Sequence, residues 1–303
     1  MPVPRRILVT GSGGFVGAHL MPALAHAYPE AAIMGATADV TDRDAVMTEI
    51  AATTPDAVVH LAAIAAIPAA RQDPARAWHV NLHGTLNVAA AILAHAPDST
   101  LLFASTADLY GATFRTGLPL DETATLAPLN TYAASKAAAD LALGAMAAEG
   151  LRAIRMRPFN HTGPGQTDAF VVAAFARQIA RIAAGLQPPV LQVGDLSPLR
   201  DFLDVRDVCA AYALALAAGL TPGTILNVAS GQSRRVGDVL HDLLRAAGIT
   251  AEIQIDPARM RPSDIPIAAG DSGGLRALGW APAILWAQTL ADTLAYWRHK
   301  IVA

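Results

Sequence analysis

Two side chains four residues apart, Tyr132 and Lys136, have types and a spacing that suit acid–base chemistry. They stand at the start of an alanine-rich stretch, residues 133–148, that favours a helix, so both project from the same helical face. A phenol, whose ordinary pKa is about 10, needs a nearby cation to act as an acid or base at neutral pH. Of the 22 lysines and arginines, only Lys136 and Lys300 are lysines. Because the chain otherwise uses arginine as its cation, a lysine one turn after a tyrosine indicates a functional role. A surface lysine beside a half-buried tyrosine would give the same pattern.

The composition argues against several classes of protein. Hydrophobic residues make up 53% and charged residues 16% of the 303 residues, which is typical of an α/β protein with extensive buried surface. A net charge of −3 gives no reason to expect nucleic acid as a partner. The single cysteine, Cys209, excludes an internal disulfide and fits a reducing compartment. We expect a cytoplasmic protein with no metal site, because clustered Cys and His are missing, and with no membrane span.

A glycine-rich turn follows the first predicted strand. Residues 7–10 form a short apolar run, and Gly11, Gly14 and Gly17 then occur at three-residue spacing before a helical stretch at residues 18–27. A strand, a glycine turn and a helix are the context in which backbone N–H groups bind a dinucleotide pyrophosphate. The spacing is G-x-x-G-x-x-G rather than G-x-G-x-x-G. It still contains more glycine than a tight turn without a ligand requires.

Apolar runs alternate with helical stretches along the chain. Further strands are predicted at residues 32–36, 57–63, 101–105, 151–157, 200–205 and 225–229, and helices at residues 78–96 and 133–148. Repeated β-α-β units predict an α/β fold with a doubly wound parallel sheet that is covered by helices on both faces. Active groups gather at the carboxyl ends of such strands. The residues expected along that rim are the glycine turn, Ala62, Ala63, Ser105, Thr106 and Asn160.

Prolines and glycines become frequent after Pro158, where the chain reads as loops and short elements. We therefore expect a smaller C-terminal substrate-binding lobe that is assembled from two separated segments. The predicted dinucleotide-binding domain comprises residues 1–160 and 202–233. The predicted substrate-binding lobe comprises residues 161–201 and 234–303.

Several short motifs occur in order along the chain. They are Gly11-x-x-Gly14-x-x-Gly17, Asp39-Val-Thr-Asp42, His60-Leu-Ala-Ala63, Asn81, Ser105-Thr106 before Leu109-Tyr110-Gly111, Tyr132-x-x-x-Lys136 and Arg157-Pro158. Each is weak alone, but the ordered set resembles the extended short-chain dehydrogenase/reductase family, of the NAD-dependent epimerase/dehydratase type. The resemblance implies a Rossmann fold that binds NADP or NAD.

The resemblance also implies roles by position. Tyr132 would protonate a carbonyl oxygen during hydride transfer, Thr106 would hydrogen-bond the same oxygen, and Lys136 would hold the nicotinamide ribose and lower the phenol pKa. Thr106 could instead only satisfy the backbone at a strand end. The implied cofactor-binding residues are Gly11, Gly14, Phe15, Val16, Gly17, Asp39, Val40, Leu61, Ala62, Ala63, Tyr132 and Lys136, with Asn81 as support. Asp39 and Asn81 are also common turn and cap residues.

Motifs in the C-terminal half, at residues 157–166, 200–207, 227–231 and 261–266, resemble nucleotide-sugar members of the family. Among these, reductases of GDP-linked 4-keto-6-deoxy sugars are the most similar, which implies reduction of GDP-4-keto-6-deoxy-D-mannose to GDP-D-rhamnose. The implied substrate residues are Ser105, Thr106, Asp108, Asn160, Arg200 and Arg261. Guanidinium groups grip phosphate oxygens in pairs, which suits a diphosphate. As an alternative, the arginine at position 200 pairs with Asp201, Asp204 or Asp207.

The same scaffold serves other reactions, so alternatives stay open. Epimerases oxidise and re-reduce the sugar, and dehydratases need a carboxylic acid near the tyrosine. Asp108 stands where GDP-mannose dehydratases carry a glutamate, and its other possible role is to cap the turn at residues 109–111. We expect a C4-keto reductase, with a 4-epimerase or 4,6-dehydratase as the alternative. A non-catalytic dinucleotide-binding regulator is a remote alternative, because Tyr132 and Lys136 are both retained.

Cofactor choice and assembly are the last expectations. After the second predicted strand, Thr37 and Ala38 offer neither an acid for ribose hydroxyls nor an arginine for a 2′-phosphate. Either NADP or NAD fits, and NADPH is favoured because the reaction is reductive. The resemblance implies a homodimer with a four-helix interface formed by the helices at residues 78–96 and 133–148. In the alternative, these helices only cover the sheet.

Overall fold

The computed structural model describes residues 3–260 and 265–302, so Arg261 lies outside the described residues. The strands are β1 (Arg6–Thr10), β2 (Ala32–Gly35), β3 (Ala57–His60), β4 (Thr100–Ala104), β5 (Ala153–Pro158), β6 (Asn160–Thr162), β7 (Val190–Val193), β8 (Leu199–Asp204), β9 (Ile225–Val228), β10 (Ser233–Arg235), β11 (Glu252–Ile255) and β12 (Ile267–Ala268). The helices are α1 (Phe15–Ala27), α2 (Arg43–Thr53), α3 (Ile67–Gln72), α4 (Pro74–Trp78), α5 (Thr85–His95), α6 (Thr131–Ala148), α7 (Val171–Ala183), α8 (Val205–Ala217), α9 (Val236–Ala247), α10 (Gly273–Ala277) and α11 (Trp286–Val302). A π-helical turn, His79–Gly84, joins α4 to α5, and 3₁₀ helices span Ala107–Thr116 and Pro257–Arg259.

Six strands form the central sheet in the order β2-β1-β3-β4-β5-β9, and every neighbouring pair is parallel. This arrangement confirms the predicted α/β fold with a doubly wound parallel sheet. Strands β2 and β3 lie on opposite sides of β1, so the direction in which strands are added to the sheet reverses at β1. In sheets of this kind, ligands bind at the carboxyl ends of the strands where this reversal occurs.

The apolar runs form strands because the sheet is covered on both faces. Successive side chains of a strand point to opposite faces, so a strand buried on both sides reads as continuously apolar. In β1, Ile7 and Val9 pack in the core cluster with α1 and α8, whereas Leu8 packs in the cluster with α2, α5 and α6. Helix α6, which begins at Thr131, is thereby fixed against the sheet.

The C-terminal lobe has its own small core. Strand β8 pairs with β10, β12 and β6, while β7 pairs with β11. Helices α7, α9 and α11 pack together around residues such as Phe175, Leu240 and Trp297. The boundary predicted at residue 202 falls within β8, and the division of the chain into two domains stays a prediction. None of these three helices was predicted from the sequence.

Two kinds of feature are absent from the part of the chain that the structure describes. No helix within residues 3–260 and 265–302 has both the length and the hydropathy that crossing a membrane requires. The same residues contain no group of three or more His, Cys, Asp or Glu side chains arranged to hold a metal ion. Cys209 is buried and forms no disulfide.

Candidate active site

The turn between β1 and α1 brings backbone atoms closer than a side chain would allow. A Cβ at Gly17 would lie 2.4 Å from the Gly11 carbonyl oxygen, and a Cβ at Gly11 would lie 2.9 Å from the Ala62 amide nitrogen. Helix α1 then begins at Phe15, and no capping side chain accepts its first N–H groups at the Gly14 N-cap. Uncapped N–H groups at the positive end of a helix suit a pyrophosphate. The turn therefore fits the dinucleotide that the motif implied.

Other predicted cofactor residues line the neighbouring strand ends. Asp39 accepts from the Thr41 amide and hydroxyl at 2.9 and 2.8 Å, and these bonds hold the pKa of the Asp39 carboxyl below its usual value. Val40 packs against Gly84 in the π-helical turn, where a Cβ would lie 2.8 Å from Val40 Cγ2. Residues 61–63 follow β3 directly. Their cofactor contacts, and those of Phe15 and Val16, stay predictions.

Thr106 and Tyr132 meet at the carboxyl edge of β4. Thr106 is the N-cap of the 3₁₀ helix Ala107–Thr116, and its hydroxyl accepts from the Asp108 amide at 3.2 Å. The capping role proposed for Asp108 at this turn therefore belongs to Thr106. The Tyr132 phenol lies close enough to the Thr106 hydroxyl for the threonine to oppose the rise in the phenol pKa. A carbonyl oxygen placed here could accept a hydrogen bond from each of them.

The pKa of Tyr132 is raised, so the expected lowering is wrong. Burial raises the pKa of Tyr132 well above its usual value, the nearby Asp108 carboxylate raises it further, and the Thr106 hydrogen bond opposes both. Burial outweighs the bond because a phenolate loses its hydration in this half-buried position. Tyr132 is therefore protonated at neutral pH and can act as a proton donor.

Lys136 lies one turn after Tyr132 on α6 and is only 2% exposed. Its Nζ lies 3.9 Å from the centre of the Phe103 ring, within the range of a cation–π contact. Burial lowers the pKa of Lys136 to about 7, and the Asp140 carboxylate one turn later opposes that shift. The lysine is therefore poised to change charge near neutral pH.

Asp108 lies near Tyr132, and Arg200 lies near Asp108. Burial raises the pKa of the Asp108 carboxyl, and the nearby Arg200 guanidinium opposes the shift. The Arg200 Nη1 donates to the Leu199 carbonyl at 2.8 Å, and its charge also interacts with Asp195. An acidic and a basic side chain thus lie close together here, and their contacts with a substrate stay predictions.

The three carboxylates proposed as alternative partners of the β8 arginine bind other groups. Asp201 accepts from Ser230 and Gly231, Asp204 from Arg206, and Asp207 from Ala283 and Ile284. These bonds tie the loops after β9 and before α11 to β8 and α8.

Two more predicted substrate residues differ in exposure. Asn160 begins β6 and is exposed, so its amide can meet a ligand. Ser105 is buried, and its hydroxyl donates to Asp140 Oδ2 at 2.7 Å. The substrate contacts of both residues stay predictions, and the Ser105 hydroxyl is already engaged inside the protein.

Two residues that shape the site were missed as site residues. Ser135 donates to the Tyr132 carbonyl at 2.9 Å and accepts from Asn81 Nδ2 at 3.0 Å. Asp140 is fully buried and binds the guanidinium groups of Arg155 and Arg157. The available signals were spacing signals, because Ser135 follows the tyrosine by three positions and Asp140 follows the lysine by four.

Comparisons with known proteins place the chain among nucleotide-sugar enzymes. A profile described as the NAD dependent epimerase/dehydratase family matches residues 7–229. The chain is 41% identical over 301 residues to GDP-6-deoxy-D-mannose reductase from Pseudomonas aeruginosa, covering 98% of each protein. It is 31% identical to UDP-glucose 4-epimerase from Azospirillum brasilense, covering 91% of this chain and 87% of the relative. The solved structure of RMD from Pseudomonas aeruginosa complexed with NADPH matches with a TM-score of 0.91 at 40% identity, covering 98% of this chain and 99% of that one.

Proposed function

This chain belongs to the NAD dependent epimerase/dehydratase family, and we propose that it is a reductase of a GDP-linked 4-keto-6-deoxy sugar. The observation that carries the proposal is that Tyr132 lies beside Thr106 and one helical turn before the buried Lys136, at the rim of a sheet whose glycine turn fits a dinucleotide. Similarity over the whole chain to a GDP-6-deoxy-D-mannose reductase supports the GDP-linked sugar. The substrate is then GDP-4-keto-6-deoxy-D-mannose, and the product is GDP-D-rhamnose.

In this mechanism bound NAD(P)H supplies the hydride that the C4 carbon of the sugar accepts. Tyr132 gives its phenolic proton to the carbonyl oxygen, so that the ketone becomes an alcohol. Thr106 orients the same oxygen. Lys136 holds the cofactor ribose and, while charged, stabilises the phenolate left on Tyr132 until solvent restores the proton. Each proton and electron pair is thereby accounted for.

We propose that the diphosphate of the substrate binds at the carboxyl edge of the central sheet, on the side of the C-terminal lobe. Arg200 offers a planar guanidinium fork for phosphate oxygens, and exposed Asn160 offers a neutral donor. Asp108, whose pKa is raised by burial, can hydrogen-bond a sugar hydroxyl next to Tyr132. Arg261 has the same proposed phosphate role, and it lies outside the described residues.

The proposed cofactor is NADP or NAD, with NADPH favoured. The segment after β2 carries no arginine, and Thr37 donates its amide and hydroxyl to Glu49 at 2.7 and 2.8 Å. A neighbour of similar fold is complexed with NADPH, which supports the reduced phosphate form. Parallel assays with NADPH and NADH decide between the two.

The test supplies GDP-4-keto-6-deoxymannose, made from GDP-mannose by a separate dehydratase, and follows oxidation of NADPH and NADH. Tyr132→Phe removes the proton donor and should lower kcat by roughly 10²- to 10⁴-fold. Tyr296→Phe, on α11 in the C-terminal lobe, is the matched control and should leave kcat unchanged. The product's stereochemistry then separates rhamnose from its 4-epimer.

Absence of oxidation in a protein that still binds dinucleotide would contradict the reductase proposal. The similarity to a UDP-glucose 4-epimerase then makes epimerisation of unmodified nucleotide sugars the next reaction to assay. A dehydratase assay follows, with Asp108→Asn as its diagnostic variant.

We further infer a homodimer that forms through α5 and α6. Leu93 on α5 is 40% exposed and Leu141 on α6 is 59% exposed, so both helices present apolar side chains outward. Light scattering should find a dimer at micromolar concentration, and a monomer would contradict the inference.

We also propose a cytoplasmic location. The free, buried thiol of Cys209 is in keeping with a reducing compartment.

A further inference from the structure

Three adjacent strands of the central sheet carry a row of side chains at their carboxyl ends. Thr10 on β1 is in register with His60 on β3, and His60 is in register with Phe103 on β4. Thr10 Oγ1 lies 2.7 Å from His60 Nδ1, and the His60 and Phe103 rings stack with centroids 5.9 Å apart. His60 is 1% exposed, so water cannot replace these partners. The row lies under the predicted dinucleotide site.

The hydrogen bonds around His60 determine which ring nitrogen carries its proton. Thr85 donates its only hydroxyl hydrogen to the Asn81 carbonyl at 2.7 Å, so the Thr85 oxygen must accept from His60 Nε2, 3.0 Å away. Burial lowers the pKa of His60 to about 3, with the Lys136 charge as the second cause, so the ring is neutral. A neutral ring protonated on Nε2 accepts at Nδ1, and Thr10 is the donor there.

The resulting chain of bonds begins in the loop after β3 and ends in the π-helical turn. The Ala62 amide donates to the Thr10 hydroxyl at 3.3 Å, and the donors then continue through His60 and Thr85 to the Asn81 carbonyl. Every hydrogen points in one direction along this chain. Such polarised chains strengthen each of their members and specify one arrangement of the groups they join.

Asn81 connects this chain to the helix of the candidate active site. Its Oδ1 accepts from the Ile64 amide at 2.8 Å, and its Nδ2 donates to the Ser135 hydroxyl at 3.0 Å. Ser135 donates in turn to the Tyr132 carbonyl at 2.9 Å. The loop at residues 61–64 is thus held at both ends, and the first turn of α6 is held to the same frame.

We propose that His60 is a positioning residue for the reaction. As a neutral imidazole protonated on Nε2, it holds the loop after β3 in register with the first turn of α6. The loop carries the predicted cofactor contacts Leu61, Ala62 and Ala63, and the helix carries Tyr132, so the chain sets the distance between cofactor and proton donor. The catalytic consequence rests on the proposed function, whereas the tautomer and the effect on dinucleotide binding do not.

The first experiment tests the tautomer without any substrate. The ring nitrogens of the full-length ¹⁵N-labelled protein are observed by long-range ¹H–¹⁵N NMR, with the His60 signals identified by their loss in His60→Gln. Protonated Nε2 and bare Nδ1 are expected, unchanged from about pH 8 to about pH 5, where ordinary histidines titrate. A proton on Nδ1, or titration of the ring in that range, would overturn the proposal.

The second experiment separates positioning from stability. Thr85→Val keeps the shape of the side chain but removes the acceptor for His60 and the donor to Asn81. Thr293→Val on α11 is its matched control, because Thr293 is equally buried and also donates to the carbonyl four residues earlier, at 2.7 Å. Both variants lose one buried hydroxyl, and both are assayed well below their unfolding temperatures.

Thr85→Val should weaken dinucleotide affinity and lower kcat/KM by at least about tenfold, because it removes two buried hydrogen bonds, whereas Thr293→Val should change neither. Equal values for the two variants would show that the chain only stabilises the fold and would overturn the proposal. If the wild-type protein turns over no keto sugar, the proposed function fails, and the dinucleotide affinities together with the NMR result still test the role of His60.

Discussion

Helix α6 contributes Ser135 and Asp140 to two buried polar clusters that differ in charge. The neutral cluster consists of Thr10, His60, Thr85, Asn81 and Ser135, which are joined by single hydrogen bonds in one order. The charged cluster consists of Asp140, Arg155, Arg157 and Ser105. The neutral cluster can hold its residues in position at low energetic cost. In the charged cluster three ionised groups have lost hydration, so its stability depends on every ion keeping its partners.

Geometry explains why the charged cluster tolerates burial. Asp140 Oδ1 lies 2.8 Å from Arg157 Nη2 and 3.2 Å from Arg155 Nη1, and Oδ2 accepts from Ser105 at 2.7 Å. One carboxylate therefore faces two guanidinium groups. Removing it leaves both positive charges without their shared counterion, whereas removing the Ser135 hydroxyl loses two neutral hydrogen bonds and uncovers no charge.

The largest effect is expected for Asp140→Ala. The free energy of unfolding should fall by about 3–5 kcal/mol, because two buried guanidinium groups lose their partner. Urea unfolding measures the change. Asp98→Ala is the control, since Asp98 pairs with Arg152 at the surface and should lose at most about 1 kcal/mol. If both variants lost a similar free energy of unfolding, the buried ion pairs of Asp140 would be no more important for stability than the exposed pair of Asp98.

A smaller effect is expected from the pH dependence of Lys136. Its pKa is lowered to about 7 in the folded protein from 10.5, so between these values the unfolded chain holds a proton that the folded protein has lost. Stability contributed by this group therefore rises with pH between about 7 and 10.5, falls as the pH is lowered through that window, and is constant below about pH 7, where both states are protonated. Relative to Lys136→Met, the wild-type protein should gain about 2 kcal/mol between pH 7 and pH 9. A constant difference would mean that Lys136 is not desolvated.

The smallest effect is expected in the neutral cluster. Ser135→Ala removes one hydroxyl between Asn81 and the Tyr132 carbonyl, and it should lower the free energy of unfolding by about 1 kcal/mol. The measurement is again urea unfolding. A loss as large as that of Asp140→Ala would mean that the two clusters do not differ in the way their charges suggest.

Most of the central sheet was predictable because its signals are local. The apolar runs at residues 7–10, 57–63 and 101–105 correspond to β1, β3 and β4, and the glycine turn precedes α1 as expected. The helix predicted at residues 78–96 is interrupted by the π-helical turn His79–Gly84. Periodicity alone does not distinguish a π turn from an α turn, because the extra residue is stabilised by tertiary bonds such as those of Asn81.

The C-terminal lobe was less predictable for a related reason. Helices α7 and α9 each have a strongly one-sided apolar face, but they lie among prolines and short loops. Their partners are distant in sequence, since α7 packs against α11. The core of the lobe forms only when these distant segments pack together, so no single stretch of sequence contains enough of it to predict the lobe.

The sequence by itself determined the fold class, the glycine turn and the pairing of Tyr132 with Lys136 on one helical face, because each depends on residues within a few positions of one another. The tertiary structure alone decided the protonation states and the partners. Burial, which the sequence does not encode locally, raises the pKa of Tyr132 and lowers the pKa of Lys136. The tautomer of His60 follows from a threonine 50 residues before it and another 25 residues after it. Only the folded chain brings those hydroxyls to one ring.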